Sequence, residues 1–127
     1  MQTIVLTQRF TGRLIDVGPG LLDAALTRDG ARLCSQLSFL DEHSFREEGT
    51  IDFGHGQSLR FRTLGEGHLA ASPDPAFRHG TAVREITGGA GRLAGARGRV
   101  TSNFLVSADS DVTDDEVAVI FVKEEQS

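Results

Sequence analysis

Short runs of alternating apolar and polar residues, separated by turn residues, recur along almost the whole chain. IVLTQRF at 4–10 places Ile4, Leu6 and Phe10 on one face, and SLRFRTL at 58–64 repeats the pattern with Leu59 and Phe61. Alternation with a period of two is typical of strands that are buried on one side. The pattern predicts an all-β fold, and it constrains the chain more than any other feature does.

The remaining segments extend this prediction. Further strands are expected in GRLIDV, both arms of DAALTRDGARLCSQLSF, FREEGTIDF at 45–53, TAVREIT, GRVTSNFLV and EVAVIFV. DEHSFREE at 41–48 is at most a marginal helix, and a strand is favoured because it continues into TIDF. Residues 65–79 hold two of the three prolines and are predicted to be irregular. EVAVIFV is apolar on both faces, which indicates a strand that is central or covered by another subunit.

Seven or eight short strands with regular turns are typical of a barrel or a sandwich. A closed barrel has no exposed edges, and its interior can hold one small ligand. The chain has 127 residues with no internal repeat or linker, so we expect one domain over residues 1–127.

Composition narrows the function classes. The net charge of −5 disfavours a nucleic-acid platform, which needs a basic surface. No apolar run approaches the roughly 20 residues of a membrane-spanning helix. The N-terminus lacks the basic start and long apolar stretch of a signal peptide, so a cytoplasmic location is expected. The single cysteine, Cys34, excludes an intramolecular disulfide.

The run ITGGAGRLAGARG at 86–98 poses a choice between a phosphate-binding loop and a structural bend. A dinucleotide fingerprint needs GxGxxG between a strand and a helix. Here the third glycine, Gly95, comes one position late, and the predicted strand RVTSNFLV follows it. No helix N-terminus is therefore available to bind a pyrophosphate, and no Lys-Ser or Lys-Thr pair completes a P-loop.

The structural interpretation accounts for the run. We expect Ile86 to end a strand and Gly88 and Gly89 to adopt backbone angles that other residues avoid. Leu93 is expected to plug the end of the barrel. Gly98, with Ala96, would let the following strand pass close to a neighbour.

Residues 88–93, GGAGRL, followed by Ala96-Arg97-Gly98, resemble the glycine signature of the allene oxide cyclase and dirigent-like barrels. The resemblance covers residues 45–122. It implies an eight-stranded antiparallel barrel with an apolar interior, assembled as a dimer or trimer. Members of these families cyclise fatty-acid epoxides or steer radical coupling. No catalytic residue of the family can be aligned to this chain, so the resemblance assigns none.

Two charged residues are predicted to point into the barrel. Glu47 alternates with Phe45, Ile51 and Phe53, and burial would raise the pKa of its carboxyl group, as suits a general acid. The alternative is a hydrated rim position or an ion pair with an arginine. Arg84 alternates with Ala82 and Ile86 and could hold a substrate carboxylate or enolate. Its alternative is a surface position, and a shift of one residue would turn Glu85 inward instead.

Other inward positions form the predicted ligand-binding wall. Gln8 and Ser102 could orient a ligand carbonyl. The alternative is that such polar side chains form hydrogen bonds with other polar groups in the core. The apolar wall is predicted to comprise Phe39, Phe45, Phe53, Phe61, Phe104 and Phe121. Cys34 has no histidine beside it, which favours a bystander thiol over a nucleophile.

The four histidines do not indicate a metal site. His43, His55, His68 and His79 lack ligand-like spacing, so neither a metal site nor a cofactor is expected. His68 and His79 flank the proline segment, where a role in proton transfer at the barrel mouth stays open.

Three functions follow from these residues. The first is a cofactor-free isomerase or cyclase that steers an apolar, polyketide- or lipid-like intermediate inside the barrel, with Glu47 moving a proton and Arg84 stabilising negative charge. The second is a barrel that binds or directs an apolar metabolite without catalysis. The third is a barrel filled by its own side chains that acts through its surface.

Overall fold

The computed structural model describes residues 1–123 of the chain. Over that range it contains one 3₁₀ turn, Gly91–Leu93, and nine strands. The strands are β1 (Gln2–Gly18), β2 (Leu21–Arg28), β3 (Ala31–Phe39), β4 (Ser44–Asp52), β5 (Ser58–Thr63), β6 (Gly67–Ala71), β7 (Phe77–Ala90), β8 (Arg97–Ser107) and β9 (Asp111–Val122).

The strands form one antiparallel sheet that closes on itself. The order is β3-β2-β1-β9-β8-β7-β5-β4-β6, and pairing of β3 with β4 completes the circle. β5 and β6 each pair with both β4 and β7, so together they fill one position in the wall. Over residues 1–123 the chain is therefore a closed eight-stranded antiparallel barrel, which is one of the two architectures that the alternation predicted and the one that the resemblance implied.

Inward side chains form two apolar clusters. The mouth cluster includes Phe10, Leu33, Leu37, Phe45, Phe61, Leu69 and Phe104. The plug cluster comprises Leu59, Ile86, Ala96, Val100, Ala118, Ile120 and Val122, and Leu93 packs against it. On β7, Ala82 of the mouth cluster and Ile86 of the plug cluster flank Arg84. The polar layer that contains Arg84 thus lies between the two clusters.

Most of the predicted strands and turns are confirmed. Residues 44–52 form β4, as preferred over a helix, and Arg28-Asp29-Gly30 turns the chain between β2 and β3. β9 lies between β1 and β8, but its outer face is not covered within the chain, since Val117 and Phe121 are exposed there. No helix within residues 1–123 has the length and apolar character to cross a membrane.

The prediction that residues 65–79 are irregular is wrong. Gly67–Ala71 form β6, and β7 already begins at Phe77. The prolines lie in the short connection between them, and β6 lacks the β-branched residues that mark a strand in sequence. Position 67 of this strand requires glycine, because a side chain there would overlap the ring of Phe45.

The glycine run lies in the barrel wall as expected, but two details are wrong. Gly88 and Gly89 lie within β7 and do not have positive φ, so the backbone angles expected there are not found. A strand, β8, follows the run, and Leu93 and Ala96 pack at the plug end. Ile86 does not end its strand, because β7 continues to Ala90. Gly98 has φ +139°, and a side chain there would overlap the carbonyl oxygen of Val119. Glycine is therefore required where β8 passes β9.

Gly80 offers a direct test of packing in the mouth cluster. Its added Cβ would overlap the Phe104 ring, which lies on the paired position of β8. We expect Gly80→Ala to lower the free energy of unfolding by about 1–3 kcal/mol, measured by urea denaturation, because the core is overpacked. In a Phe104→Leu background the same substitution should cost less. An equal loss in both backgrounds would contradict this packing.

Candidate functional site

Glu47 and Arg84 meet inside the barrel. Arg84 Nε donates to Glu47 Oε1 at 3.0 Å, and Nη2 donates to Oε2 at 3.3 Å. Glu47 is 4% exposed and Arg84 is 2% exposed. The inward placement predicted for both residues is confirmed, and so is the arginine partner weighed as the alternative for Glu47. A catalytic role for either residue stays a prediction.

Two further carboxylates, both missed from sequence, complete the group. Arg84 Nη1 donates to Glu116 Oε2 at 2.6 Å and to Asp114 Oδ2 at 3.2 Å. We call Glu47, Arg84, Asp114 and Glu116 the charge cluster. The acid-rich segment before residue 116 resembles a polar turn, yet Asp114 alternates with Val112 on the inward face of β9. That alternation is the signal that would have found them.

Neutral side chains on three other strands donate hydrogen bonds to the carboxyl groups of the charge cluster. Ser35 Oγ donates to Glu47 Oε2 and Ser102 Oγ to Asp114 Oδ1, both at 2.5 Å. Gln8 Nε2 donates to Glu116 Oε1 at 2.9 Å. Among residues 1–123, every buried side-chain nitrogen or oxygen has a hydrogen-bond partner. Gln8 and Ser102 therefore point inward as predicted, and their side chains donate hydrogen bonds to the charge cluster.

The charge cluster contains three acidic side chains and one guanidinium. Burial, with the neighbouring charge of Asp114, raises the pKa of Glu116 to about 8. Burial lowers the pKa of Arg84, but the three acidic neighbours outweigh this and hold that pKa above its ordinary value. All three nitrogens of the Arg84 guanidinium already donate to carboxyl oxygens of the cluster. This saturation argues against the predicted role of Arg84 in stabilising negative charge on a substrate.

The space inside the barrel is small. A cavity of about 20 Å³ touches Glu47, Arg84 and Asp114, together with apolar side chains of the mouth cluster. This volume suits one water molecule. The expectation of a ligand-sized chamber within the barrel is wrong for residues 1–123, because aromatic and charged side chains fill the interior.

A much larger pocket lies at the open end, and we call it the mouth pocket. Its volume is about 740 Å³. Leu22, Phe39 and Leu69 form its inner surface, where they pack on or belong to the mouth cluster. The remaining lining comes from the β1–β2 turn, the loop before β4 and the ends of β6 and β7, including Asp16, Leu21, Leu40, Asp41, Glu42, His43, Ala70, Ala71 and Arg78. Sequence patterns missed most of these residues because they lie at strand ends and in a loop that come together only when the sheet closes.

The phenylalanines predicted to line the barrel interior differ in burial. Phe45, Phe61 and Phe104 are buried in the mouth cluster, and Phe39 and Phe53 pack partly against it. Of these, Phe39 lines the mouth pocket. The interior placement of Phe121 is wrong, since it is 39% exposed on the outer face. Its neighbours Ile120 and Val122 take the inward positions of β9.

The outer face around Phe121 carries an apolar groove of about 520 Å³. Val117, Val119 and Phe121 line it, with Arg97 and Arg99 alongside. Coverage of this face by a second copy of the chain stays a prediction.

The cysteine and histidines lie apart from the charge cluster. Cys34 is exposed. His43 lines the mouth pocket, whereas His68 and His79 are exposed and do not line it, so the position expected for those two is wrong. Within residues 1–123, no three His, Cys, Asp or Glu side chains are arranged to hold a metal ion.

Neither a protein-family model nor a curated protein matches this sequence. Among solved structures, the chain is similar to the pterocarpan synthase dirigent protein GePTS1, with 9% identity over 100% of this chain and 90% of that chain. The TM-score of 0.37 is too low to carry an argument about family. The barrel assignment rests on strand order and closure, and membership of the dirigent-like family stays a prediction.

Removing the cation tests the charge balance. Arg84→Met leaves three buried acidic side chains without their guanidinium partner, and we expect a loss of about 3–5 kcal/mol in the free energy of unfolding at pH 8. At pH 5 the loss should be smaller, because the carboxylates can take up protons. Arg46→Met, on the exposed face of β4, is the control in the same urea titrations. An equal loss at both pH values would contradict the assignment.

Glu116 should give stability a particular pH dependence. Its folded pKa of about 8 lies above the ordinary value of 4.5. Between these values the folded state keeps a proton that the unfolded state has lost, so the free energy of unfolding falls as pH rises, by up to about 1.4 kcal/mol per unit. We expect Glu116→Gln to remove this slope in urea titrations from pH 5 to 8. Exposed Glu48→Gln is the control, and an unchanged slope in Glu116→Gln would contradict the protonation.

Proposed function

We propose that the chain binds an apolar small molecule in the mouth pocket. The observation that carries this proposal is a preformed space of about 740 Å³ whose inner surface is continuous with the apolar core. Ligand sites are typically concave, mainly apolar, and roughly 300–1,000 Å³ in volume. The interior cavity of about 20 Å³ is far below that range. Binding at the barrel mouth therefore fits the geometry better than binding inside.

The rim of the mouth pocket is held in place by hydrogen bonds. Asp41 Oδ1 accepts from the backbone N–H groups of His43 at 2.8 Å and Ser44 at 2.7 Å. Leu69 N donates to the His43 carbonyl at 2.8 Å, and His43 Nδ1 lies 3.1 Å from the Leu69 carbonyl. These contacts fix the loop before β4 onto β6. A rim that is already ordered loses little conformational entropy when a ligand binds.

A second candidate function is acid–base isomerisation or cyclisation without a cofactor. Glu116 keeps a proton near neutral pH, and Glu47 borders the small cavity beside Arg84. Phe45 lies 5.5 Å from Phe39 and 6.0 Å from Phe104, between ring centroids, so aromatic rings separate the mouth pocket from the charge cluster. A substrate would have to displace these rings to reach the acid. The three acidic side chains, with the aromatic rings beside them, would favour a positively charged intermediate.

The binding function is tested with two matched substitutions. Leu40 lines the mouth pocket and is 49% exposed, and Val117 lines the outer groove and is 47% exposed. We expect the neutral fluorescent probe N-phenyl-1-naphthylamine to bind the wild-type protein. Leu40→Ser should weaken binding about fivefold, because half of a leucine contact contributes about 1 kcal/mol. Val117→Ser should leave the Kd unchanged.

The same assay separates the alternatives. Weakening by Val117→Ser alone would move the site to the outer groove, and no binding at all would overturn the proposal. Glu116→Gln should not alter probe binding at the mouth. If the second function holds, that variant would abolish turnover of a cyclisable polyene while retaining probe binding.

A further inference from the structure

We infer that the mouth pocket selects an amphiphile with a positive charge, its apolar part on the core and its cationic group at the rim. This inference rests on the proposed function, since it concerns the ligand of the same pocket. It follows from the charges at the rim, from their lack of counter-ions and from the charge of the layer beneath.

The rim is acidic. Asp16, Asp41 and Glu42 line the mouth pocket, and Arg78 is the one guanidinium that accompanies them among the described residues. With His43 counted as neutral, the lining carries a net charge of −2. An apolar pocket edged by one sign of charge concentrates ligands of the opposite sign.

Backbone N–H groups hold two of the rim carboxylates, Asp16 and Asp41. Asp16 Oδ1 accepts from Gly18 N at 3.0 Å. The two backbone N–H groups that donate to Asp41 lower the pKa of its carboxyl group, with a smaller contribution from the charge of His43, so it stays ionised at neutral pH. Within residues 1–123, none of Asp16, Asp41, Glu42 and Arg78 forms an ion pair with another side chain.

The barrel wall shows a different arrangement. Asp115 on β9 receives two hydrogen bonds from Arg9, at 2.7 and 3.0 Å, and Asp111 lies 3.6 Å from Arg13. Those carboxylates already have counter-charges and attract a ligand cation weakly. The acidic residues of the mouth pocket remain available for one.

The layer below the pocket is also rich in acidic side chains. The charge cluster holds three of them around one guanidinium, and apolar side chains separate it from the pocket. The field of a buried charge is screened less by such surroundings than by water. Phe39 lines the pocket and presents an aromatic ring, which also attracts cations. Rim, ring and buried layer therefore all favour a cationic group over an anionic one.

Three probes that share an octyl chain and differ in charge test this inference: octyltrimethylammonium, octanol and octyl sulfate. Each is titrated into ¹⁵N-labelled full-length protein at low salt, and the amide shifts of mouth-pocket residues such as Leu40 and Ala70 give the Kd. We expect the cation to bind about tenfold more tightly than octanol, and octyl sulfate to bind most weakly. Because the difference is electrostatic, 0.5 M NaCl should reduce it several-fold.

Charge-changing variants locate the effect. Glu42→Gln should weaken cation binding about threefold, and Arg78→Gln should strengthen it by a similar factor, while octanol binding stays the same. Glu48→Gln removes the same charge from the outer face of β4 and should change none of the three affinities. A purely structural role for Glu42 would alter octanol and cation binding equally, which would overturn the inference.

The outcomes keep the two proposals apart. Equal affinities for the three probes, with shifts at the mouth, would overturn the charge preference and leave the binding function intact. Preference for octyl sulfate would also overturn it and would identify Arg78 as the recognition group. Absence of shifts at the mouth with every probe would overturn both proposals.

Discussion

The Arg84 guanidinium and its three carboxylates hold the interior of this barrel together. Arg84 stands on β7, Glu47 on β4, and Asp114 and Glu116 on β9, so the ion pairs cross the interior. Buried ion pairs add little net stability, because desolvation offsets their attraction, but removing one partner is costly. A register slip of one residue in any of these strands would turn a charge outward and break the group. The cluster therefore fixes the register of the wall.

Because the interior is filled in this way, we propose the mouth rather than the interior as the ligand site. The side chains that satisfy the carboxylates also occupy the space that a ligand would need, and about 20 Å³ remains. At the open end the mouth cluster is covered only in part, and the loop before β4 is pinned beside it. An apolar surface with an acidic rim results. We therefore place the proposed binding site at the end of the barrel whose apolar core is only partly covered.

The sequence predicted the barrel well because alternation reports which side of a strand is buried. The same signal placed Glu47 and Arg84 inward correctly. It failed where a segment lacks β-branched residues, as in β6, and where acids dominate, as at Asp114. It also failed at Phe121, because EVAVIFV is apolar on both faces and alternation cannot choose between them. The mouth pocket could not be predicted from the sequence, because Asp16, Leu40 and Arg78 come together only when the sheet closes.

We propose that the ligand site is the mouth of a filled barrel. The most direct test is a structure of the protein bound to N-phenyl-1-naphthylamine. We expect the probe to lie against Leu22, Phe39 and Leu69, with the ion pairs of Arg84 unchanged. A probe lodged between Phe45 and Phe104 in contact with Arg84, or one seated in the groove beside Phe121, would contradict it.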